Sequence, residues 1–180
     1  SSNNIVVSDG MDQLIRGARA EWTFGIRESE RIVFSFKSSL RMKSNLTNFT
    51  NQLANNEGVP LWQIREHNKI KGGSIKIIAG DFYDVLPKIK KFIEEAEFNK
   101  NKPIDLLMLI TYQLAKDLQD LNGKKFMSVE ESLNCKVYPG FQYTFRSKST
   151  ENFNELRVLQ YQSARGLEGW TTFLMNFDHR

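Results

Sequence analysis

A half-apolar stretch, ELRVLQYQ, runs directly into SARGLEGW, residues 163 to 170. Gln162, Ser163 and Arg165 bring an amide, a hydroxyl and a guanidinium to the end of that stretch. Such groups at a strand end are what contacts to nucleic-acid phosphates and sugars require. Glu168 adds a carboxylate just after Gly166. A second cation of interest is Arg41, placed between a β-branched, aromatic stretch and a helical pattern. Taken alone, Arg41 reads as a solvated arginine at a helix start, and Glu168 as an exposed loop acid. The other reactive residue types offer less. His67 and His179 stand far apart with no Cys, Asp or Glu at ligand spacing, so no metal site is expected. Cys135 is the single cysteine; it has no partner for a disulfide within the chain and no second thiol for zinc.

The chain of 180 residues is long enough for one domain with a real core, or one domain plus a fragment. Hydrophobic residues make up 40% and charged residues 26%, in the range of ordinary globular domains. No apolar run approaches the roughly 20 residues that span a bilayer, and no signal-peptide pattern opens the chain. With its lone cysteine, that fits a reducing, cytoplasmic setting and no membrane partner. The net charge of +4 suits a nucleic-acid partner without requiring one.

Several elements can position the chemistry-bearing residues. Ile5, Val6 and Val7 predict a short buried strand ending at Asp9 and Gly10, and RIVFSF (31 to 36) a second. Leu46, Phe49, Leu53 and Ala54 fall at helical spacing, with Gly58 and Pro60 as stops. SIKIIAG (74 to 80) predicts a third strand. DVLPKIKKFIEEAEF (84 to 98) predicts an amphipathic helix burying Leu86, Ile89, Phe92, Ile93 and Ala96. IDLLMLIT (104 to 111) is continuously apolar, as a strand covered on both faces should be. QLAKDLQDL predicts a short helix ended by Gly123; ELRVLQYQ and TTFLMNF (171 to 177) predict the last strands. Residues 124 to 154 read as an irregular excursion with one short strand at 135 to 138. The aromatic residues Phe34, Phe36, Phe49 and Phe92 are expected in the core. Strands alternating with helices imply an α/β fold, a parallel sheet with helices on both faces. Both ends look cut: DQLIRGARAEW makes a poor crossover helix, and the chain stops soon after a strand.

Three stretches, in order, resemble the superfamily 1 DNA helicases of the UvrD/Rep type. VVSDGMDQLIR is similar to the third motif of that family; Asp12 and Gln13 match its Asp-Gln pair, while Ser8 replaces the usual glycine and the turn is one residue longer. LRMKSNLTNFTNQLA resembles the fourth motif, with Arg41 matching the arginine that opens a helix after a strand. LQYQSARGLEGW resembles the fifth, Thr-x-His-x-Ala-Lys-Gly-Leu-Glu: Ala164, Gly166, Leu167 and Glu168 match, and Arg165, Gln162 and Gln160 stand for the lysine, histidine and threonine. The stretches between follow the family plan of a Gly-Gly strand, an acidic helix and an apolar strand, so the resemblance covers about residues 4 to 177.

The resemblance implies a RecA-like fold, of the P-loop NTPase superfamily. Residues 1 to 30 would hold the end of a first RecA-like domain and a linker, and 31 to 180 a truncated second domain. It implies ATP and magnesium, held mainly by a first domain whose phosphate loop and acidic pair these residues lack. Arg41 would be an arginine finger, since phosphoryl transfer needs positive charge where it develops on the γ-phosphate. Gln13 would sense that phosphate, and Glu168, beside Gly166, would accept from a ribose hydroxyl. Gln162, Ser163 and Arg165 would face single-stranded DNA, with RNA as a variant, and Trp22 would stack on a base. The implied partners are single-stranded DNA and the remainder of the same polypeptide. Against this stands a non-catalytic α/β module that binds protein or nucleic acid and only echoes helicase motifs. A free-standing nucleotide-binding domain of another kind is hard to hold without a Gly-rich phosphate loop.

Overall fold

The computed structural model describes residues 12–13, 18–19, 25–32, 38, 42–58, 64–65, 71–119, 124–145, 150–164 and 167–177. The chain divides into two compact units, Ser1–Ile77 and Ile78–Arg180.

In the first unit a small antiparallel pair joins β1 (Asp12–Gln13) to β2 (Ala18–Arg19). The helix α1 spans Ser44–Asn56, as its spacing of Leu46, Phe49, Leu53 and Ala54 requires. It ends two residues before Gly58, whose φ of 72° is a left-handed value that glycine tolerates. Two loop segments are tied to it. Asn45 donates its amide N–H to Gly72 O (3.1 Å) and its side-chain Nδ2 to Gly73 O (2.8 Å). Asn51 both donates to and accepts from the backbone of Ile64, at 2.8 and 2.9 Å. The expected strand at 5 to 7 and residues 33 to 36 lie outside the described residues, while Arg31 and Ile32 follow a single 3₁₀ turn at Glu28–Glu30.

The second unit is a four-stranded, wholly parallel sheet with flanking helices. α2 covers Phe82–Phe98, β3 Leu106–Ile110, α3 Tyr112–Leu118, α4 Lys124–Leu133, β4 Lys136–Pro139, β5 Glu155–Gln160 and β6 Thr171–Leu174. In space the strands run β4-β5-β3-β6. Register fixes two faces, because parallel partners share one side of a pleated sheet. Met108 stands beside Val158 and Phe173, and Leu107 beside Arg157 and Thr172. Leu106, Met108 and Ile110 therefore share a face with Leu156, Val158 and Phe173. Every helix of the unit supplies that core: Leu86, Ile89 and Ile93 from α2, Leu114 and Leu118 from α3, Val129 and Leu133 from α4. Burying such side chains contributes roughly 1.5–3 kcal/mol each.

Expectation and structure differ in three places here. Helices are predicted on both faces, whereas the described helices of this unit, α2, α3 and α4, all pack on one. The opposite face, with Leu107, Leu109, Tyr138, Arg157 and Leu159, lies instead against connecting segments: Tyr138 Oη donates to Phe145 O at 3.1 Å and Arg157 donates to Glu168 O at 2.6 Å. Residues 124 to 133, read as irregular, form α4, which buries Val129 and Leu133 on one side and leaves polar residues on the other. Residues 74 to 79, read as a strand, belong to no strand among the described residues, and Ile77 is 90% exposed.

The three crossovers share one hand. From β3 the chain steps over β5 to β4 across the helical face. It returns to β5 and then to β6 across the opposite face, as Gly140 beside Leu159 and Gly169 beside Leu107 record. A common hand follows from the common twist of the strands.

Candidate functional site

The segment from 161 to 170, joining β5 to β6, carries most of the candidate residues on described backbone. It begins as a 3₁₀ turn, Tyr161–Ser163, at the carboxyl end of β5. Gln162 and Ser163 are both exposed there. Carboxyl ends of parallel strands are where α/β sheets open to ligands, because the connections diverge at that edge. Tyr161 anchors the turn: its hydroxyl donates to Met175 O at 2.9 Å, just past β6. Half-burial pushes its pKa up to about 12, so the phenol stays protonated and keeps donating.

The far end of the segment lies against the other end of the sheet. Arg157 donates from Nη2 to Glu168 O at 2.6 Å, and the Trp170 amide donates to Asp105 O, also at 2.6 Å. Asp105 immediately precedes β3, and Arg157 pairs with Leu107 near the start of that strand. Gly169 sits where a side chain would be crowded. A Cβ there would meet Thr171 O at 3.0 Å, Leu107 Cβ at 3.1 Å and Asp105 O at 3.3 Å. The segment therefore crosses the sheet from its carboxyl edge to its amino edge. From Arg157 to Gln160 is three residues, about 10 Å of strand rise, so the exposed amide and hydroxyl stand apart from Glu168 along the strand. Arg157 is half-buried; burial lowers its pKa, and the charge of Asp105 opposes that shift. Its Nε makes no hydrogen bond among the described residues.

The structure thus brings Gln162, Ser163 and Glu168 onto one segment but at its two ends. Leu167 and Trp170 flank Glu168 and are 45% and 48% exposed, which leaves an apolar surface beside an exposed carboxylate. Gln13 sits on β1, opposite Ala18. Arg41, Trp22, Arg165 and Gly166 lie outside the described residues, as do His67 and His179. Among the described residues, no group of His, Cys, Asp and Glu could hold a metal ion. Burial raises the pKa of Cys135, which makes it a poor nucleophile.

Sequence reasoning missed Arg157, Tyr161 and Gly169. Arg157 left a trace: it is the one charged residue inside the alternating run LRVLQ, on a strand otherwise fit for burial. Tyr161 and Gly169 left none, because their roles depend on contacts with Met175 and Leu107, distant in sequence.

No family model, no curated protein and no solved structure matches this chain. Among the described residues no helix is long and apolar enough to cross a membrane.

Proposed function

We propose that this chain is the C-terminal RecA-like part of an ATP-dependent DNA helicase or translocase of the UvrD/Rep type. One observation carries the reading: a single segment between two parallel strands presents Gln162 and Ser163 at the carboxyl edge of the sheet and Glu168 at its other end. A motor that couples nucleotide to nucleic acid needs such a connection. In this reading Gln162, Ser163 and Arg165 contact single-stranded DNA, Glu168 beside Gly166 accepts from the nucleotide ribose, and Arg41 and Gln13 act at the γ-phosphate. Trp22 stacks on a base. ATP and magnesium are held mainly by a RecA-like domain bearing a phosphate loop, which residues 1 to 180 do not contain.

The test for the nucleic-acid half uses the chain itself. A fluorescent oligothymidylate should bind weakly, with an affinity that falls steeply as salt rises. Arg165→Ala should weaken binding at every sequence and flatten the salt slope by about one. Equal or tighter binding to duplex, or none to the single strand at low salt, would remove DNA from the proposal. The nucleotide half is tested in a polypeptide that also carries a phosphate loop. There Glu168→Gln should raise KM for ATP with kcat roughly kept, since a ribose contact is made equally in the ground and transition states. A fall in kcat alone would give Glu168 a different role.

A further inference from the structure

The segment between β5 and β6 is tied at each end by one side chain that bonds to backbone. Tyr161 ties its start to Met175 O, and Arg157 ties its end at Glu168 O. Both bonds go to backbone carbonyls, so each holds the path of the chain rather than a neighbouring side chain. Gln162 and Ser163 are exposed one and two residues beyond the first anchor. The second anchor is bonded to the residue that bears the candidate carboxylate.

We propose that Tyr161 and Arg157 are positioning residues for the two ends of one strap, Tyr161 setting Gln162 and Ser163 for a nucleic-acid strand and Arg157 setting Glu168 for a nucleotide ribose. The assignment of ligands rests on the function proposed above; the anchoring does not. Arg157 is a costly choice for a half-buried site on a central strand. Its Nε goes unbonded among the described residues, and an apolar side chain of similar length would fill the space without desolvating a charge. What an apolar side chain lacks is a donor that reaches Glu168 O. Gly169 and the Trp170 amide continue the same contact onto Leu107 and Asp105.

The experiment uses the 180-residue chain and four variants: Arg157→Met, Arg157→Lys, Tyr161→Phe and the wild type with Gly169→Ala. Arg157→Met keeps the apolar stem and removes the donor, so it separates packing from bonding. Amide exchange at Leu167 and Trp170 should be about tenfold faster or more in Arg157→Met, as loss of a charge-assisted bond implies. Lysine retains charge and a donor, so Arg157→Lys should recover part of that protection. Gly169→Ala should give the same local loss by steric displacement. Amides of β3 and α2 should keep wild-type protection in all of them. Uniform acceleration across the unit, or none at Leu167 and Trp170, overturns the anchoring.

Ligand probes then separate the two ends. Millimolar ATP with magnesium should shift the amide resonances of residues 167 to 169 in the wild type, and Arg157→Met should weaken that response while Arg157→Lys restores it in part. Tyr161→Phe should lower oligothymidylate affinity about threefold to tenfold, the loss of one hydrogen bond, with a smaller effect on the ATP response. Equal effects of both variants on both ligands overturn the division of labour. Faster strap exchange in Arg157→Met with no response to either ligand in the wild type upholds the anchors and sinks the helicase reading instead.

Discussion

Tyr161 makes a prediction that needs no ligand. Its folded pKa is pushed up to about 12 by burial, against about 10 for an unfolded tyrosine. Below pH 10 both states are protonated and the full contribution is present. As pH rises from about 10 towards 12, the unfolded chain releases this proton while the folded chain keeps it, so stability falls. Urea midpoints measured across that window should decline, and Tyr161→Phe should decline less. Tyr138 is also raised, by burial first and by Glu155 second, so Tyr138→Phe is the control that apportions the loss. At the same scale, Arg41→Ala should lower nucleic-acid-stimulated ATP hydrolysis by about 10²-fold or more in a polypeptide carrying a phosphate loop, since a missing arginine finger costs about 10³ to 10⁵ elsewhere. Near-normal turnover would remove Arg41 from the site.

Among the elements, α4 and β4 are joined by one carboxylate. Glu130 accepts from the Val137 amide at 2.9 Å and from Lys136 Nζ at 3.2 Å. The ammonium is 75% exposed, so the ion pair itself contributes little. The amide bond matters more, because losing it leaves a half-buried N–H without its acceptor. Glu130→Ala should therefore cost about 1–3 kcal/mol, while Glu130→Gln, which keeps an acceptor oxygen, should cost under about 1 kcal/mol. Equal losses in the two variants would assign the effect to the ion pair. α2 sets the other limit on the core. Leu86 is 1% exposed and lies in the cluster with Met108 and Val158, so Leu86→Ala should destabilise by about 2–5 kcal/mol, read from the same urea curves.

For the whole molecule, the proposal implies that residues 1 to 180 fold without hydrolysing ATP. The described core of the second unit draws on helices α2, α3 and α4 and the four strands, so a cooperative transition is expected. Hydrolysis needs magnesium and a phosphate loop, which these residues lack, and in the proposal Glu168 would reach only one side of a nucleotide. An ATPase assay with and without single-stranded DNA should show no turnover above background. Robust magnesium-dependent turnover would mean that a complete active site lies within these residues.

Periodicity sufficed for the elements whose signal is local. α1, α2, β3, β5 and β6 follow from apolar spacing, because a buried face imprints a period of 3.6 or 2 on the residues that form it. The end of a strand could likewise be read directly, which singles out Gln162 and Ser163, while the role of Glu168 rests on the resemblance of the residues around it to a helicase motif. α4 was hidden because its apolar positions, Phe126, Val129 and Leu133, are sparse among polar ones. Residues 74 to 79 carried a strand signal yet form no strand among the described residues, since pairing depends on a second backbone that local sequence does not specify. The order β4-β5-β3-β6, the confinement of the helices to one face, and the clamp of Arg157, Gly169 and Tyr161 on the strap all join residues far apart in the chain. Those were decided only by the tertiary structure, because a hydrogen bond from Arg157 to Glu168 O or from Tyr161 to Met175 O exists only after the sheet has brought its two ends together.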